Sequence, residues 1–76
     1  MAVATKTVAG VGDVTLDYTA PVSYKQTGGD AGALVILDSD GSELDVTIEG
    51  VGGGQVFSSN ASGQAAVDAI VAAFAT

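Results

Sequence analysis

The sequence predicts an α+β domain: a small antiparallel sheet of four to six short strands with one C-terminal α-helix packed on it. Three observations predict it. Residues 13 to 19 alternate, with Val14, Leu16 and Tyr18 on one side and Asp13, Thr15, Asp17 and Thr19 on the other, the period of a half-buried strand. Residues 33 to 49 read as a hairpin about an Asp-Gly turn. Val67, Ile70, Val71 and Phe74 fall at i, i+3, i+4 and i+7, one apolar stripe of a helix. The 76 residues make a single domain, 1–76, with no room for a second.

The elements follow in order. Residues 2 to 8 form a weak strand, ended by Gly10-Val11-Gly12. The strand over 13–19 is closed by Ala20-Pro21, because proline restricts that point to a turn or a sheet edge. Residues 22 to 27 give a return strand with Val22 and Tyr24 inward and Lys25 outward, where it can lie across from Asp17. After the loop Gly28-Gly29-Asp30-Ala31-Gly32, residues 33 to 38 are apolar on both faces, as in a central covered strand. Residues 43 to 49 alternate again, with Leu44, Val46 and Ile48 inward. A second glycine loop, Gly50-Val51-Gly52-Gly53-Gly54, leads to a short strand at 55–58. Ser59, Asn60 and Ser62 are suited to cap a helix over 61–75.

Composition excludes more than it assigns. The chain has no histidine, cysteine, tryptophan or arginine, and two lysines, Lys6 and Lys25, against nine carboxylates. The usual proton shuttle, the strongest nucleophile and the anion clamp are therefore missing. An enzyme is not expected, and no catalytic residue is assigned. Paired carboxylates among Asp13, Asp17, Asp45 and Glu49 lie on polar strand faces, which solvent explains. A net charge of −7 opposes nucleic acid and anionic membranes. No secretory signal and no membrane-spanning run is expected. Asn60-Ala61-Ser62 matches the glycosylation sequon, an accidental match without a signal.

The apolar 47% rests on small residues, thirteen alanines and eleven valines. Alanine removes little area from water, and eleven glycines raise the entropy cost of folding. A thin private core is the expectation, with support from an assembly or an oligomer.

Asp38-Ser39-Asp40-Gly41 is a hairpin turn. The alternative is a calcium site with Asp38, Asp40 and Glu43 as weak candidates, since calcium loops also use spaced aspartates before a glycine. A third regularly spaced ligand and a closing glutamate do not appear, so no metal and no cofactor is assigned. Neither glycine loop carries the Gly-Lys-Ser/Thr ending of a phosphate loop. The two acidic strands, with Asp13 and Asp17 on one and Glu43, Asp45 and Glu49 on the other, are expected not to be direct neighbours or to hold Lys6 or Lys25 between them, because like charges opposite each other destabilise a sheet.

The far side of the helix carries Ala65, Ala69, Ala72 and Ala73, with Asp68 its one charge. A smooth face of small residues admits a close neighbour, although alanine is also the best helix former. Those four alanines, with Val3 and Val51, are the interface candidates. In its small size, its Ala/Val/Gly/Thr-rich composition, the 33–49 hairpin and the 61–75 helix, the chain resembles the small head-decoration and capsid-accessory proteins of tailed bacteriophages. That resemblance implies a virion protein, cytoplasmic during assembly, that fills gaps in a capsid lattice and stabilises the shell through protein contacts, a homo-oligomer among them. The alternative is a soluble protein- or glycan-binding module, calcium-assisted at the Asp38–Gly41 turn.

Overall fold

A computed structural model describes residues 2–28, 32–50 and 57–75. The fold is α+β, with the strands divided between two sheets rather than gathered into one. β1 (Ala2–Val8), β2 (Gly12–Tyr18) and β5 (Thr47–Ile48) form the first sheet, in the order β1-β2-β5. β3 (Ser23–Gln26), β4 (Ala33–Leu37) and β6 (Phe57–Ser58) form the second, in the order β3-β4-β6. Every pairing is antiparallel. The helix α1 (Ala61–Ala73) packs on them.

β1 and β2 form a hairpin whose register runs from Ala2↔Tyr18 to Val8↔Gly12. Its turn closes with the Val11 N–H on the Val8 carbonyl at 3.0 Å. Gly10, third of the four turn residues, sits at φ +80°, the left-handed conformation that a type II turn needs there. Alternation in β2 is as expected: Val14, Leu16 and Tyr18 are buried.

Two strands found different neighbours from those expected. Residues 23–26 do not return along β2. They cross to the second sheet after the cis Ala20–Pro21 bond and pair with β4, Lys25 opposite Val35. Lys25 therefore meets Glu43, at 3.4 Å, and not Asp17. Tyr24 is 39% exposed instead of inward, and its hydroxyl accepts from Gln64 Nε2 at 2.8 Å.

The expected strand over 43–49 is shared between the sheets. Its start stays with β4 through the Leu37↔Glu43 bridge and the Leu44 N–H to Ile36 carbonyl bond at 2.9 Å. Its end, Thr47–Ile48, pairs with β2. Val46, between them, is fully buried. The inward rhythm Leu44, Val46, Ile48 is carried across the gap while the backbone changes partner. Of the strand expected at 55–58, residues 57–58 pair with β4 and 55–56 lie outside the described residues.

Asn60 caps α1, its Oδ1 accepting the Gly63 N–H at 2.8 Å. Gly63 lies against β6 so closely that a Cβ there would overlap the Ser58 carbonyl oxygen. Val67, Ile70 and Phe74 are fully buried and Val71 partly so. The helix ends at Ala73 with Phe74 as its cap, not at 75.

The core joins both sheets and the helix: Val8, Val14, Leu16 and Tyr18 from the first, Leu34 and Ile36 from the second, with Val22, Val46 and α1. Its compactness corrects the expectation of a thin core. The exposed surface is 4053 Å², against about 4,200 Å² for a folded monomer of this mass. The radius of gyration is 11.3 Å, against about 11.4 Å from chain length. A few large side chains, placed where three elements converge, do what the many alanines cannot.

Candidate functional site

The three calcium candidates point to different tasks. Asp38 is buried, and its Oδ1 accepts the N–H groups of Thr19 and Ser39, both at 2.8 Å. Because Thr19 follows β2 and Asp38 follows β4, this carboxylate ties the two sheets together. Asp40 folds over its own turn and accepts the Ser42 N–H at 2.9 Å and the Ser42 hydroxyl at 2.6 Å. Those bonds hold its pKa below the usual aspartate value. Glu43 pairs with Lys25. The Gly41 N–H returns to the Asp38 carbonyl at 3.0 Å, with Gly41 at φ +89°. The three carboxylates thus serve an inter-sheet bond, a turn and an ion pair, and no group of three acidic ligands gathers among the described residues.

The two acidic strands are direct neighbours, against expectation. β2 pairs with β5, and beside that pairing the Glu49 N–H donates to the Asp13 carbonyl at 2.7 Å. No lysine stands between them: Lys25 is on Glu43 and Lys6 on the helix. Neutral donors serve instead. Asp13 accepts the Thr7 hydroxyl at 2.7 Å, and Glu49 Oε1 accepts the Asp13 N–H at 3.3 Å. Glu49 adopts φ +55°, where a side chain is uncommon.

Lys6, which the sequence offered with Lys25 as a cation between the acidic strands, is bound to the helix instead. It shares a parity with the part-buried Ala4 and the buried Val8, so it faces inward. Its ammonium donates to the Ala73 carbonyl at 2.8 Å and stands 5.1 Å from the centroid of Phe74. Phe74 in turn meets Tyr18 edge-on at 5.0 Å. A lone lysine at an inward position of a strand was the signal available.

With Lys6 turned in, the other parity of β1 is neutral. Val3, Thr5 and Thr7 are exposed, Val3 at 69%. Thr5 and Thr15 share a hydroxyl hydrogen bond of 2.7 Å, and Thr15 pairs with Thr47, giving a threonine row across the first sheet. Among the described residues β1 has one strand neighbour, β2.

Of the other interface candidates, Ala65 and Ala72 are exposed. Ala69 and Ala73 are partly buried against the chain's own core. Val51 lies outside the described residues.

No family model, curated protein or solved structure matches this chain. No helix among the described residues is long and apolar enough to cross a membrane.

Proposed function

We propose that this chain is a non-enzymatic structural protein of a larger assembly, a viral capsid decoration or accessory protein that stabilises the shell through contacts with other protein. The observation that carries the reading is β1. It is a seven-residue edge strand whose one charge is bound to the helix and whose Val3 is 69% exposed. Soluble proteins blunt such edges with outward or inward-pointing charges, proline or short length; here the one charge, Lys6, is engaged by the Ala73 carbonyl, and a long edge with a neutral exposed face fits one that a neighbour covers. The composition agrees: a chain without histidine, cysteine or arginine has contact surface to offer rather than reactive groups.

Mass spectrometry of particles purified from a culture carrying the gene tests this. The intact 7.4 kDa chain should be present in a fixed ratio to the major shell subunit. Its recovery solely in the particle-free fraction would overturn the virion assignment.

A further inference from the structure

We propose that β1 is completed by a second copy of this chain. The two β1 strands pair antiparallel about a two-fold axis centred on Thr5, joining two three-stranded sheets into one of six strands. The inference deepens the contact reading above and rests on it.

Edge protection selects β1. β5 and β6 have two residues each, and Glu49 follows β5 directly. β3 has four, with exposed Lys25 among them. Each is guarded by shortness, charge or both. β1 alone among the described strand edges is long and carries no charge on its exposed parity.

Charge selects a second copy as the occupant. Residues 1–12 contain no carboxylate, although the chain carries nine. Two copies of charge −7 can therefore approach through this arm without setting carboxylates side by side. The nearest exposed acids, Asp13 and Asp17 on β2, would be separated from those of the other copy by three strand spacings. That is about 14 Å, beyond the Debye length of about 8 Å at physiological salt.

The strand is also complementary to itself. Centring on Thr5 sets Thr5 against Thr5, Val3 against Thr7, and Lys6 against Ala4. No like charges stand directly opposite: the two Lys6 side chains fall on the diagonal, about 7–8 Å apart at their backbones, and each ammonium is held on its own Ala73 carbonyl, while exposed Val3 gains a cover. The row Thr47-Thr15-Thr5 continues unbroken into its symmetry mate, and cross-strand threonine pairs are favourable. A closed two-fold contact of this kind uses one patch twice and leaves as edges, among the described residues, only the short or charged strands β5, β3 and β6.

The chain has no cysteine, so single cysteines report the register cleanly. Thr5→Cys should form a covalent dimer under mild oxidation at least tenfold faster than Ser23→Cys on the guarded β3 edge. A mixture of Val3→Cys and Thr7→Cys should give the mixed dimer ahead of either homodimer. Circular dichroism melts verify that each variant is folded. Crosslinking of Thr5→Cys no faster than Ser23→Cys would overturn the pairing, and a Val3→Cys homodimer as fast as the mixed dimer would overturn the register. If the chain is found on particles and Thr5→Cys stays monomeric, the assembly reading stands and the second-copy inference falls. Crosslinked dimer without particles would give the reverse.

Discussion

The carboxylate of Asp38, at the end of β4, accepts the backbone N–H of Thr19, at the end of β2, at 2.8 Å. This bond crosses from one sheet to the other, and the same oxygen also accepts the Ser39 N–H. Asp38 is 4% exposed, so water does not replace it readily.

Asp38→Ala should therefore cost about 1–3 kcal/mol, the penalty of stranding a part-buried donor. Asp38→Asn keeps an acceptor oxygen and should lose less. Urea unfolding of both variants checks the order; an Asp38→Ala variant as stable as the parent would show that the inter-sheet bond contributes nothing.

Gly63→Ala puts helix propensity against packing. Alanine is favoured over glycine inside a helix by about 1 kcal/mol. Here the added Cβ meets the Ser58 carbonyl, and backbone cannot turn aside as a side chain would. Overpacking of this kind costs about 1–3 kcal/mol. The variant should melt lower than the parent, whereas propensity alone would make it melt higher.

Lys6→Met keeps an apolar stem and removes the cation from the Ala73 carbonyl and the Phe74 ring. Helix-end charge and cation–π attraction together suggest a loss of about 1–2 kcal/mol. Lys6→Arg should recover most of it in the same chemical denaturation series.

Asp40 has a lowered pKa because Ser42 donates to it twice. A carboxyl depressed in the folded state adds stability that is complete above its unfolded value, near 3.8. That stability is lost as pH falls through the lower folded value. Ser42→Ala should raise the Asp40 pKa toward 3.8 in a carboxyl NMR titration and remove this part of the acid sensitivity. An unchanged titration would contradict the assignment.

Periodicity made faces legible and left neighbours hidden. Val14, Leu16 and Tyr18 were readable as inward, as were Val67, Ile70 and Phe74, because burial follows the repeat of strand and helix. Val46 was readable as buried too. Its position between two sheets was not, since an inward rhythm says nothing about which backbone lies alongside. Charge reasoning failed at Asp13 and Glu49 for a related reason: Thr7 and a backbone N–H supply donors where a lysine was expected. Asp38 was visible as a turn residue, but its bond to Thr19 depends on the second sheet. Lys6 could have been found from strand parity alone.

Sedimentation equilibrium over a wide concentration series tests the central claim, that β1 is the edge through which this domain pairs with a second copy of itself. Wild-type mass should rise from 7.4 kDa toward twice that value as concentration increases. Val3→Lys, which adds a charge to the exposed edge, should hold at 7.4 kDa and should melt with the wild type at concentrations where the wild type is monomeric. A wild-type chain that remains monomeric at every concentration, or a Val3→Lys variant that associates equally well, would contradict it.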